Sequence, residues 1–597
     1  MFSRAAMQVK AVWLAGAAMA LALPAVAQQA QQQPQPTPPV SQPPAGAGPV
    51  TAPANEPATS RPRATEAGAD ESAVEVVDGV TLEKPAPPVE YPAWARRDAQ
   101  FAGVLNPADI GLSGEVWGRA SGTFLSTLLR RMQAPIASRW GHIALRDALL
   151  ARTEAPYGVD PVDWTAERAW LLLRMGEADA ARLLVAGVDT DRFTPKMVQV
   201  AVQSALANAD PPALCPLESR LRQYEPKIRA LVAAMCSSLA GAPQVASAQI
   251  DDARRFGRVG GIDLSLAEKV VGAGTNTGRS TTIEWEPVEN LNSWRFGLSA
   301  ATGLSPPNRL LNEASPQMRA FHARAALIEP RERLDSAFIA AGLGVFSSQS
   351  MVDLYSSIYD ATDPNDLADS DAWRLRQAFV GKDRATKIDA IRHFLRMGDD
   401  SWAKEGARSV VARASALIQP DAELEADAAD LISAMLSAGY DRSASRWVEA
   451  IDDMDDANAD RCWAMLALSA PDGVNVDVAS RRITQFIDRD GSKDKQRSAL
   501  LVAGLAGLGR ISQDTANSIN RRYGLGLGRS TEWTKVIDEA AARGQAGTVL
   551  VMAGTGLQTA VWDKVPAAHL YHIISGLKRT GQDFNARMIA AEALSRT

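Results

Sequence analysis

Leu173-Arg174-Met175-Gly176-Glu177-Ala178 and Leu395-Arg396-Met397-Gly398-Asp399-Asp400 follow one pattern. An apolar-striped segment ends in Gly, a short acidic stretch follows, and an Ala-rich segment opens behind it. Comparable junctions stand at Leu436-Ser437-Ala438-Gly439, Leu505-Ala506-Gly507-Leu508-Gly509, Ala542-Arg543-Gly544 and Leu577-Lys578-Arg579-Thr580-Gly581. Glycine ends a helix in a left-handed turn at no steric cost, and an acidic residue suits the positive N-terminus of the next helix. Each junction therefore predicts a helical hairpin. The glycines at 398, 439, 509, 544 and 581 are separated by 41, 70, 35 and 37 residues, the 70 being two units of 35.

The flanking segments read as helices. Ala166, Ala169, Trp170 and Leu173 fall at i, i+3, i+4, i+7, as do Leu570, Ile573, Ile574 and Leu577, and that spacing puts one stripe on one helical face. Ile388, Ile391 and Leu395 are expected to lie buried against a helix beginning near Asp400. From Ala93 onward no sustained alternation bounded by hairpin turns occurs, so the expected fold class is all-α. Residues 260–380 fit the pattern less well. Leu264 to Val271 reads as helix, broken by Gly272-Ala273-Gly274-Thr275-Asn276-Thr277-Gly278, and Pro306-Pro307 marks a further turn. The glycine run lacks the Gly-Lys-Ser/Thr ending and the preceding strand of a phosphate loop.

The period resembles that of tetratricopeptide and related helix-hairpin repeats, from roughly Lys382 to the C-terminus with an outlying unit at 164–187. Trp170, Leu173 and Gly176 stand near the positions of the tetratricopeptide Trp, Leu and Gly, and Ala180 matches a small residue of the second helix. The usual Tyr after the Gly is missing, and the closing Pro is absent from most units. The resemblance implies helical hairpins stacked into an α-solenoid or superhelix, a curved scaffold presenting a surface to proteins or peptides. The other reading of the hairpins is an irregular helical bundle sharing turn chemistry.

Outward from the repeats, the N-terminus reads as an export signal. Arg4 and Lys10 precede the apolar run Ala11–Leu23, Pro24 breaks it, and Ala25-Val26-Ala27 forms a cleavage site before Gln28. The run is shorter than the ~20 residues that span a bilayer, and no later apolar stretch reaches that length. Residues 28–92 hold 14 of the 34 prolines, eight acidic and three basic residues, and no Phe or Trp. That composition cannot bury enough apolar surface to offset ordering, so a disordered Pro/Gln-rich acidic linker is expected. Within it, Ala73-Val74-Glu75-Val76-Val77 suits β-addition to a partner's sheet edge. The expected organisation is a signal peptide over 1–27, the linker over 28–92, an N-terminal helical domain over 93–380 and a C-terminal helical-repeat domain over 381–597.

A net charge of −6 and a pI near 5.6 argue against a nucleic-acid binder held by a general positive field. No Gly-x-Ser-x-Gly, His-Glu-x-x-His or Cys-x-x-Cys motif occurs, and no cofactor or metal is implied. His569 and His572, at i, i+3, point to different sides of one helix. Cys215 and Cys236 are candidates for a disulfide, which export permits; two buried thiols are the alternative. Cys462 reads as a core thiol, and Trp170, Trp402, Trp447 and Trp463 as core. Soluble lytic transglycosylases also combine export with a helical superhelix, and their catalytic glutamate lies in a Glu-Ser pair like Glu218-Ser219. No Gly-Leu-Met-Gln-like segment follows here, and the last 200 residues are repeat-like, so only the scaffold carries over. The expected function is a periplasmic cell-envelope scaffold or adaptor for protein or peptide partners, with enzymatic activity unassigned. The alternative is a peptidoglycan- or glycan-binding or processing protein with a cleft between the helical halves, recognisable by paired carboxylates and aromatic walls.

Overall fold

The computed structural model describes residues 76–77, 80–81, 92–112, 116–224, 226–256, 259–275, 282–398 and 400–597. The expected leader, its cleavage site at Ala27-Gln28 and nearly all of the linker lie outside these residues. Two units separate, one of Ala30–Arg96 and one containing Arg97–Thr597. In the smaller unit Val76–Val77 pairs antiparallel with Val80–Thr81.

The larger unit is all-α, built of 27 helices among the described residues. Short polar side chains start them. Asp160 accepts from the N–H groups of Val162 and Asp163, Thr194 from Met197, and Asp400 from Trp402 and Ala403. Glycines stop several of them. Gly176, Gly398, Gly439, Gly509, Gly544 and Gly581 have φ of 96°, 94°, 79°, 71°, 72° and 83°. All six lie between helices, although the helix after Gly439 is short, Asp441–Ser445. Among the described residues no helix is long and apolar enough to cross a membrane.

In a solenoid each repeat touches only its neighbours. Here the early helix Arg139–Leu150 packs against Pro330–Leu343, Ala546–Gly556 and Asp583–Ser595. Glu592, buried in the last of these, caps its N-terminus. The carboxylate accepts from the backbone N–H of Arg139 at 2.7 Å, that of Trp140 at 3.1 Å and the Ser138 hydroxyl at 2.6 Å. Contacts spanning 453 residues are foreign to a one-dimensional stack, so the hairpins belong to one closed core rather than an open superhelix. The stretch 381–384, expected to divide two halves, joins the helices Asp371–Val380 and Arg384–Leu395, which pack on each other inside the single larger unit.

Arginines tie this core together by capping the ends of other helices. Arg139 donates to the carbonyls of Ala341 at 2.8 Å, Ser437 at 2.6 Å and Phe346 at 3.3 Å. Arg168, fully buried, donates to Leu149, Ala102 and Ala151, and burial lowers its pKa to about 9. Arg510 and Arg587 reach the carbonyls ending Asp456–Ser469. The last carbonyls of a helix lack intrahelical donors, and a planar guanidinium serves two or three at once.

Several local expectations change. In the Arg384–Leu395 helix, Ile388 and Ile391 are buried, but Phe394 takes the third core position and Leu395 is only partly buried. That helix does pack on Ser401–Ala416. Trp170 is half-buried, while its stripe partners Ala166, Ala169 and Leu173 are buried. The helix from Gly261 continues through Gly272 and Gly274 to Thr275. Gly274 is there for close packing, since a Cβ on it would sit 2.5 Å from Ser238 Oγ.

Candidate functional site

Two concave surfaces offer the clearest places for a partner. The first lies between the helices Ser348–Asp360 and Asp371–Val380, a groove of about 270 Å³. Apolar and aromatic residues at three- and four-residue spacing, Val352, Tyr355, Tyr359, Leu375 and Phe379, turn toward each other and leave an apolar floor. Tyr355 is buried there, and burial holds its phenol well above the ordinary value. Tyr359 stacks on Trp373 with ring centres 6.4 Å apart, and the Arg376 guanidinium lies 5.4 Å from the Tyr359 ring. Val380 at the rim is 62% exposed, with Asp360 and Arg376 supplying charge. An apolar floor inside a charged rim is the anatomy of a protein-binding patch.

The second groove, about 490 Å³, is lined by Trp117, Arg119, Thr153, Glu154 and Tyr157. Trp117 is fixed by an edge contact with Trp164 at 5.1 Å and by its indole N–H donating to Thr153 Oγ1 at 2.8 Å. Tyr157 projects 92% exposed from the loop before Pro161. Among the described residues of this lining Glu154 is the one carboxylate.

The residues singled out by sequence lie apart from both grooves. Cys215 and Cys236 are bonded, Sγ to Sγ 2.07 Å, tying the Pro211–Leu217 turn to the Pro226–Leu239 helix. Glu218 is paired with Arg229 at 2.8 Å. His569 stacks on Trp533 at 4.4 Å, while His572 Nδ1 lies 2.9 Å from Asp538. Among the described residues no group of three or more His, Cys, Asp or Glu is placed to hold a metal ion. Cys462 is buried and its thiol is pushed up to about 12 by burial. Trp402, Trp447 and Trp463 are buried.

The turn glycines divide into two sets. Gly176, Gly398 and Gly439 face packed neighbours: Val345, Ala403, and the rings of Phe584 and Trp140. Gly509, Gly544 and Gly581 face open space. Sequence reading missed the first groove because it lies in the stretch least like the repeat. The signal available was Val352, Tyr355 and Tyr359 at i, i+3, i+7 with an exposed apolar Val380 downstream.

No family model, curated protein or solved structure matches the chain.

Proposed function

We propose that this protein is an exported cell-envelope scaffold that holds protein or peptide partners, with the Ser348–Asp360/Asp371–Val380 groove as a docking surface. The observation supporting it is the groove's apolar floor inside a charged rim, carrying a largely exposed Val380. Export rests on the leader and its Ala27-Gln28 site; intact-mass analysis of the exported chain should give an N-terminus at Gln28. A photo-crosslinker at Val380 in envelope preparations should give a discrete adduct that is lost when Leu375→Asp charges the floor. Crosslinking that is absent, or unchanged by that substitution, sinks the docking assignment.

A second reading, glycan binding, is favoured by Tyr157 standing exposed beside Trp117 and Glu154. Its test is binding of soluble peptidoglycan fragments, weakened at least tenfold by Tyr157→Ala.

A further inference from the structure

The helices Ser401–Ala416, Glu425–Ser437, Asp456–Ser469, Ser480–Arg489, Gln496–Gly507 and Asp583–Ser595 enclose a cavity of about 80 Å³. None of them lines either groove described above. A buried water needs roughly 10–15 Å³ of such space, so the cavity has room for several waters or for a small polar ligand in their place. Its wall is apolar along Met465 and Phe486, both buried. Its polar side is dominated by donors. Arg408, Arg461 and Arg497 line it together, and among the described residues of the lining Asp430 is the one carboxylate.

Each guanidinium is held from one side. Arg408, mostly buried, donates to Glu405 at 3.1 Å, and Glu405 is itself buried. Arg461 donates to Asp430 at 3.4 Å. Arg497 donates to the Thr597 main-chain oxygen, through Nε at 2.8 Å and through a terminal nitrogen. A guanidinium carries five N–H donors, so these contacts leave most of them for another acceptor. The Arg461–Asp430 pair is half-exposed on both sides; such a pair contributes little, and a ligand can compete for Arg461. Ser433 adds a further group. It is 4% exposed, and its Oγ has no hydrogen-bond partner. A buried hydroxyl without a partner destabilises the fold, and an acceptor brought by a ligand recovers that loss.

We propose that this cavity binds a small oxyanion, a phosphate or carboxylate group, held by Arg408 and Arg461 with the Ser433 hydroxyl donating to it. The surplus of donors selects the class: the lining offers N–H and O–H groups, and an oxyanion brings acceptors only. The planar guanidinium matches the paired oxygens of either group. The buried apolar wall lowers the local dielectric and so strengthens charge-assisted hydrogen bonds made beside it. Glu405 fixes Arg408 before the ligand arrives, so less side-chain freedom is lost on binding.

Titration calorimetry of the full folded chain at low salt, with inorganic phosphate and then with acetate, tests the site. One-site binding that saturates below about 10 mM is expected for at least one of the two, and the tighter probe names the group, phosphoryl or carboxylate. Saturation by neither overturns the proposal. Arg461→Gln, at a half-exposed position, should weaken binding about tenfold or more. Arg543→Gln, at an exposed arginine outside the cavity, should leave it unchanged; equal weakening by both variants leaves only general attraction and overturns the site. Ser433→Ala should move two readouts in opposite directions. The ligand-free chain should unfold at a higher temperature, because an unpaired hydroxyl is no longer buried, while binding of the preferred probe should weaken about fivefold. A Ser433→Ala chain that binds as the wild type does, or that loses stability, places the hydroxyl in the packing and overturns its part in the site.

Discussion

The hairpin turns at Gly509, Gly544 and Gly581 and the crossing of the helices Pro330–Leu343 and Ser401–Ala416 both depend on glycine, for different reasons. At the turns the residue has positive φ and open space around it. At the crossing, Gly342 and Gly406 sit inside helices, and a methyl on either would overlap a carbonyl oxygen, that of Trp402 or of Phe338 respectively. The turns need a backbone conformation; the crossing needs missing volume. Local sequence announces the first requirement, because the glycine falls where a stripe ends. The second is set by a partner helix elsewhere in the chain.

The largest effect is expected at the crossing. Gly406→Ala or Gly342→Ala must push two helices apart along their backbones, costing about 3 kcal/mol. Chemical denaturation measures it, and a cost below that of the turn variants would erase the distinction. Gly398 belongs to both classes, with φ of 94° and a would-be Cβ 2.7 Å from the Ala403 backbone. Gly398→Val should cost about 2 kcal/mol, because a β-branched residue is forced into the left-handed region. Gly544→Ala, with room for the methyl, should cost about 1 kcal/mol from conformation alone. Gly544→Asn should cost only a few tenths of a kcal/mol, since Asn tolerates that region. If Gly544→Asn proves as costly as Gly544→Ala, the turn requires more than its φ.

What the sequence made legible follows the same division. The all-α class was readable from stripes such as Leu570, Ile573, Ile574 and Leu577, all fully buried. Closure of the core was not. It rests on Glu592 meeting Ser138, Arg139 and Trp140, and nothing local in either segment specifies the other. The buried arginines were equally opaque: Arg168 and Arg139 look like surface positions in a helical pattern until the carbonyls they cap arrive from distant helices. Glu177 and Asp179 read as ordinary acids at a helix start. Their partners come from other helices, His142 and Arg146 for Glu177 and Arg324 for Asp179. The Tyr355–Phe379 groove was hidden because its two walls belong to different helices in the stretch least like a repeat.

The carboxylate that Glu592 lends to the Arg139–Leu150 helix also sets an order of events during synthesis. At roughly 5–20 residues per second, the 453 residues between donor and cap take about 20 to 90 s to make. Throughout that interval the helix has neither its cap nor the helices Ala546–Gly556 and Asp583–Ser595 that cover it. Until those two helices are made, the chain carries an open apolar seam along Arg139–Leu150. Exposed apolar surface of that kind favours aggregation, and covering it requires contacts across 453 residues, which form slowly.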